Sequence, residues 1–470
     1  MVSFICKFDL TLGGINATSL TKFIQQHEDG HHLKIALISP QNLYLQPTLY
    51  FPILHAHVKS LKMETGSVQS QIDNWSKTEL GVHATKIDAD HNKISLNNGK
   101  TFTYKALVLA TGFDHKLEYI KGLEQFSKCH ETENVFIHAL DHKERISQNY
   151  WSGWQHKAGD FICYSPKFPY KGEGSDFYAL YYESFLRMDK MNQAASAGAR
   201  IQYYTPNKEI YQFPYANEIA LDECHKRGID VCFGWEMLEV KKDQYKQKIA
   251  VFRNVDSGEI IEKPFFTACI NPPSKPQDLI VNSGLGDSLG LVDVNKYTLQ
   301  HKRYENIFAF GDCIGGELTR THNAAQAQNP VIKNNVLKYL HGQEVNAIYD
   351  GYSFFPLYLA MTQATSFSHL HDYEPATWNH FVPHHGIFSK QYFGRLHKNM
   401  EADAKNYSSY RKNQGPPYYH ISNSYDALEH NEYLQRHQIP LESVIHQAAQ
   451  ARLAAGEEHP LAHALDHHHH

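Results

Sequence analysis

Val2-Ser-Phe-Ile-Cys-Lys-Phe8, Gly13-Gly14 and Leu33-Lys-Ile-Ala-Leu-Ile-Ser39 follow one another at the start of the chain, and that succession decides the fold. Two short β-prone runs flank a glycine-led stretch with helical character to about Gln26, which is the pattern of a βαβ unit and hence of a parallel sheet. Outward from it, Lys86–Tyr104 alternates and is broken at Asn97-Asn-Gly99, the signature of a hairpin turn. Ala106-Leu-Val-Leu-Ala110 is a continuous apolar run suited to a strand buried on both faces. A second βα series follows, with helical periodicity around Leu140–His156, a strand at Phe161–Tyr164 and a helix from Phe177 to Met191. Strands at Ile201–Tyr204 and Val231–Gly234 enclose a helix at Ala216–Arg227, and Glu239–Phe266 reads as a meander turning at Asp256-Ser-Gly258. Asn306-Ile-Phe-Ala-Phe310 returns as a buried strand before Gly311-Asp312 and a helix over Asn323–Leu340. The fold class is therefore α/β, two βα halves with parallel sheets followed by a C-terminal extension.

The bulk properties exclude several function classes. A 470-residue chain with 42% apolar and 20% charged residues has the composition of an ordinary folded protein. A net charge of −5 gives no electrostatic reason to expect nucleic acid as a partner. Seven cysteines lie scattered without CxxC pairs, most of them in apolar runs, which points to a reducing compartment and inert thiols. No stretch reaches the eighteen or so apolar residues that a spanning helix needs, and the first residues are not an Arg- and Ser-rich transit peptide. His380-Phe-Val-Pro-His-His385, with His369 and His371, does not have zinc-ligand spacing; these read as surface members of a histidine-rich chain, and no metal is expected. The basic run Lys241–Lys248 reads as a solvent-facing hairpin. The His467–His470 run is left out of the fold reading.

Longer stretches carry a family likeness. Asp293-Val-Asn-Lys-Tyr-Thr-Leu-Gln-His-Lys-Arg-Tyr-Glu-Asn-Ile-Phe-Ala-Phe-Gly-Asp-Cys313 closely resembles sulfide:quinone oxidoreductases of the mitochondrial branch. So does Tyr349-Asp-Gly-Tyr-Ser-Phe-Phe-Pro-Leu357, followed by His371-Asp-Tyr373. Gln46-Pro47, Lys105-Ala-Leu-Val-Leu-Ala-Thr-Gly112 and Asn271-Pro-Pro273 fall in the family's order, and the likeness runs from about residue 3 to 390. It implies two Rossmann-like dinucleotide-binding domains, a first, FAD-type domain over 1–122 and 300–345 and a second over 123–299. A family C-terminal segment would follow over 346–390, then a polar arm over 391–470. It also implies a mitochondrial, inner-membrane-associated location.

In active members, two cysteines take up sulfide sulfur as a persulfide or trisulfide and pass electrons to the flavin and then to quinone. One lies in a Cys-x-Gly-x-Pro stretch, the other in a Cys-Pro-Leu stretch after Tyr-Asp-Gly-Tyr. Here the first stretch is Gly172-Glu-Gly-Ser-Asp176 and the second is Phe355-Pro-Leu357, so Gly172 and Phe355 hold the cysteine positions. A soft thiolate has no oxygen or carbon substitute, and no catalytic residue is expected. The phosphate loop, aligned at Asp9-Leu-Thr-Leu-Gly13-Gly14, keeps only its packing glycine, Gly14. Asp9 opposes the phosphates, and Ser39 stands where the ribose-binding acid is expected. Ser165-Pro-Lys-Phe-Pro169 offers no pyrophosphate cradle, so NAD is not expected. The membrane-docking region, Gln391 to Lys405, is too polar to insert, which leaves the chain peripheral to a membrane at most.

The expectation is a catalytically degenerate member without bound FAD, serving as a structural or interaction subunit among other protein subunits. The alternative is an FAD-dependent oxidoreductase with a divergent site, holding the cofactor through Gly13, Gly14, Ala110, Thr111, Gly112, Gly311 and Asp312.

Overall fold

The computed structural model describes residues 2–6, 35–39, 43–45, 64–67, 77–80, 82–138, 159–188, 198–359 and 363–375. Its first half contains β1 (Val2–Cys6), β2 (Ile35–Ser39), β3 (Lys77–Leu80), β4 (Ala84–Asp88), β5 (Lys93–Leu96), β6 (Thr101–Thr103) and β7 (Ala106–Ala110). β1 pairs in parallel with β2, Val2 opposite Ile35, and with β7, Val2 opposite Ala106. Every residue of β7 is buried, as an unbroken Ala-Leu-Val-Leu-Ala run in a parallel sheet requires. The expected hairpin at Asn97–Gly99 joins β5 to β6, with Leu96 N donating to Lys100 O at 2.9 Å.

A second parallel sheet is built from β8 (Val135–Ile137), β9 (Asp160–Tyr164), β10 (Arg200–Thr205), β11 (Asp230–Phe233) and, later in the chain, β15 (Thr267–Ile270). Its order is β8-β15-β9-β10-β11. Between β11 and β15 runs an antiparallel meander of β12 (Trp235–Lys242), β13 (Lys248–Asn254) and β14 (Ile260–Pro264). The chain then returns to the first sheet through β16 (Ile307–Ala309), giving the order β16-β7-β1-β2-β3. The architecture is that of two Rossmann-like domains.

Helices cover these sheets. α1 (Leu123–Lys128) lies between them in sequence, α2 (Ala179–Met188) and α3 (Pro214–Lys226) serve the second, and α4 (His322–Leu340) returns to the first. α3 starts two residues earlier than its periodicity suggests because Pro214 suits the first helical turn, where no N–H is needed. Thr321 caps α4, its hydroxyl accepting from Ala324 N at 3.0 Å. The β17 (Ser353–Leu359) and β18 (Gln363–His369) hairpin was not legible in the sequence. Pro356 argues against a strand, but a two-stranded hairpin leaves an outer edge where a missing N–H costs no pairing.

The Lys241–Lys248 run faces solvent along most of its length, but its last residue is half-buried: Lys248 Nζ donates to the carbonyls of Glu133 and Phe266 and lies 5.4 and 5.2 Å from the Phe265 and Phe266 ring centres. Burial lowers its ammonium to about 8. Against the surface reading, His369 and His371 are buried, because they end β18 against aromatic rings: Phe213 lies 5.1 Å from His369 and Tyr349 lies 5.3 Å from His371. The expected helix at Leu140–His156 and the polar arm over 391–470 lie outside the described residues.

Leu109 is fully buried at the centre of β7. Leu109→Ala is expected to cost about 2–5 kcal/mol, by lost transfer energy and the cavity left behind. Denaturant unfolding checks this, and a loss under about 1 kcal/mol would contradict the central placement of β7.

Candidate functional site

β7 and β16 end side by side, and their following residues bring Ala110, Thr111 and Gly112 near Gly311 and Asp312. Phe310 N donates to Leu109 O at 3.1 Å across that junction, and Gln328 Oε1 of α4 accepts from Gly311 N at 2.7 Å. Asp312 is 2% exposed, and neither of its carboxylate oxygens has a hydrogen-bond partner among the described residues. Burial raises its pKa, opposed by the positive charges of Lys171 and Arg320. The Thr111 side chain, also buried, faces the Cys313 thiol. The orphaned Asp312 oxygens mark a place that favours a polar, hydroxyl-bearing molecule. Cys313 next door is inert: it is buried, its Sγ reaches Phe310 O at 3.3 Å, and burial raises its thiol pKa. Gly13 and Gly14, with Asp9, lie outside the described residues.

The loop after β9 carries the other half of the site. Lys171, Glu173 and Asp176 are all buried, with Gly172 and Gly174 between them at φ +91° and +79°. Both glycines are required by space as well as by conformation. A Cβ on Gly172 would stand 2.8 Å from His138 Nε2 and 2.9 Å from its Cδ2. A Cβ on Gly174 would stand 2.7 Å from Cγ of Phe355. His138 is held there by a 2.9 Å hydrogen bond between its Nδ1 and the Tyr178 hydroxyl, and burial keeps its imidazole well below the ordinary range and hence neutral. Phe355 is fixed in turn by Tyr211 and Phe367, at ring-centre distances of 5.0 and 5.6 Å.

The loop's carboxylates are fully engaged. Asp176 accepts from Ser165 Oγ at 2.6 Å, Asn271 Nδ2 at 3.0 Å and Tyr170 OH at 3.1 Å. Burial raises it to about 6 against those three bonds. Glu173 accepts from Tyr170 N at 3.0 Å and Arg320 N at 3.4 Å, and its Oε1 lies 3.8 Å from Arg320 Nη1. Burial raises it to about 7, opposed chiefly by Arg320. Cys163, on β9 opposite Cys269, offers no replacement nucleophile, because burial pushes its thiol well above the ordinary range. Glu173, Asp176, Arg320 and His138 were not singled out in the sequence. The available signal was two acids, Glu173 and Asp176, flanking Gly174 in a motif otherwise built for a thiol.

Residues 13–150 match the family described as pyridine nucleotide-disulphide oxidoreductase. The mouse protein "Sulfide:quinone oxidoreductase, mitochondrial" is 26% identical over 354 residues, covering 74% of each chain. Over about three quarters of its length the chain is similar to mitochondrial sulfide:quinone oxidoreductases. Its fold is shared with the sulfide:quinone oxidoreductase of Aquifex aeolicus, at a TM-score of 0.61 and 14% identity, covering 93% of this chain and 94% of that one. A chain of the Tetrahymena thermophila mitochondrial ATP synthase superposes at a TM-score of 0.78 with 25% identity, covering 88% of this chain and 97% of that one. The curated relatives and the ATP synthase are named as mitochondrial proteins. No helix among the described residues is long and apolar enough to cross a membrane.

The family depends on FAD. Asp312, with unpaired buried oxygens, fits the hydroxyl-bearing ribityl side of that group, which when bound supplies two-electron transfer. No cysteine lies between Lys171 and Asp176.

Gly172→Cys is expected to destabilise by about 1–3 kcal/mol, from the positive φ and the His138 contact. In a His138→Ala background the same substitution should cost less, because only the backbone strain remains. Equal costs in the two backgrounds, measured by thermal unfolding, would contradict His138 as the occupant of that space.

Proposed function

We propose that this protein is a non-catalytic, structural subunit of a mitochondrial inner-membrane assembly, built on a sulfide:quinone oxidoreductase scaffold. One observation carries the reading: the two places where the family's cysteines would act are taken up by packed side chains. His138 fills the space beside Gly172, and the Phe355 ring stands at the second position against Gly174. Relay of sulfur between two thiols needs both thiols and open volume between them. Glu173 and Asp176 make the region more polar and more tightly bonded, which suits a junction rather than a chamber for a soft nucleophile.

The high overlap with a chain of a mitochondrial ATP synthase supports the subunit role, since that relative works inside a large assembly. In this reading the domains are 1–122 with 300–345, and 123–299, and the polar arm over 391–470 meets partner chains. FAD is not retained: Asp9 and the lost glycines before Gly14 remove the phosphate attraction that a dinucleotide needs. The orphaned Asp312 favours a second reading, an FAD-dependent oxidoreductase with a divergent site that includes Gly13, Gly14, Ala110, Thr111, Gly112 and Gly311.

Protein purified from its native mitochondria separates the two. The structural reading predicts co-migration with a large membrane complex and no flavin absorbance. A monomeric protein carrying stoichiometric flavin would overturn it.

A further inference from the structure

Glu173 and Arg320 come from different halves of the fold. Glu173 lies on the loop that follows β9 in the second sheet, whereas Arg320 precedes α4 and belongs to the return into the first. Both are nearly inaccessible, at 3% and 2% side-chain exposure, and they meet at 3.8 Å. Each is anchored in its own half. Glu173 is tied to Tyr170 N, and Arg320 Nη2 donates to Ile314 O at 2.7 Å and Gly316 O at 3.2 Å. The segment carrying Arg320 also binds the third element of the junction. Ser353 Oγ donates to Thr319 O at 2.7 Å, and the Thr319 hydroxyl lies 2.9 Å from His369 Nε2.

We propose that the Glu173–Arg320 pair is a proton-sensitive clasp that locks the two Rossmann-like halves together where family members carry out thiol chemistry. Up to about 7 the closed contact is a protonated, neutral Glu173 against the Arg320 guanidinium, and it fixes one geometry because moving either partner leaves buried hydrogen-bonding groups unanswered. The groups facing Glu173 are Arg320 and Asp312 from the β16–α4 connection, Tyr170, Lys171 and Asp176 on its own loop, and Tyr373 after β18. Arg320 attracts the ionised form, Asp312 opposes it, and burial opposes it most. The closed clasp therefore holds a proton up to about 7, where an opened, solvated Glu173 would release it near its ordinary 4.5. A rise in pH between these values favours opening, and the effect levels off above the upper one. Acidification tightens the clasp.

The proposal rests on reading this loop as a junction. Flavin content tests that reading, whereas amide exchange tests the clasp alone. Hydrogen–deuterium exchange of the full chain, corrected for intrinsic rates, is followed from pH 5.5 to 8 in peptides covering 165–178 and 311–322. β13 serves as the reference. In the wild type both peptides should open together, by up to about tenfold per pH unit below neutrality, and plateau near 7. Glu173→Gln should lose the response above pH 6 and keep only the lower part due to Asp176, whose own value is about 6. An unchanged profile in Glu173→Gln would overturn the clasp. Should that variant fail to fold, the wild-type profiles decide: a shared midpoint supports the clasp, and separate midpoints for the two peptides overturn it.

Discussion

The absence of a side chain at position 172 lets the loop after β9 lie against the His138 imidazole, and much else follows from that contact. At φ +91°, with His138 where a Cβ would be, only glycine fits without displacement. Once the loop is seated, Gly174 receives the Phe355 ring and Asp176 reaches Ser165, Tyr170 and Asn271. Glu173 then meets Arg320. Second sheet, return segment and C-terminal hairpin are thereby joined at one buried point.

That point is polar, which needs a physical account. Five ionisable side chains (Lys171, Glu173, Asp176, Asp312 and Arg320) are buried within it. Taking carboxylates out of water disfavours their charged forms, and Glu173 and Asp176 are raised accordingly. Hydrogen bonds and the Arg320 charge offset part of this cost. An apolar core would have packed with less penalty, so the network's contribution is orientation: each carboxylate accepts only when the loop is correctly placed. Asp312 differs from the others, since no described residue answers its oxygens.

Much of the scaffold was legible from period and composition alone. The Ala106–Ala110 run could only be a strand buried on both faces, and the Asn97–Gly99 turn could only close a hairpin. The β17–β18 hairpin escaped because Pro356 reads as a strand breaker until the strand is known to have an open edge. Glycine at 172 and phenylalanine at 355 were legible only as residues standing where the resemblance expects cysteines. What packs around them was not, because His138 lies 34 positions before Gly172 and Arg320 lies 147 positions after Glu173. Local pattern carries no information about such long-range approaches. The burial of His369 and the engagement of half-buried Lys248 escaped for the same reason, since each is decided by a distant aromatic or carbonyl group.

The proposed structural role requires that no sulfur is carried at Gly172 and Phe355, where His138 and the neighbouring rings are packed. Sulfide-dependent reduction of a soluble quinone, measured on the full chain supplemented with excess FAD, tests this most directly. The account predicts a rate no higher than the protein-free background. Turnover accompanied by sulfur bound to any of its cysteines would contradict it.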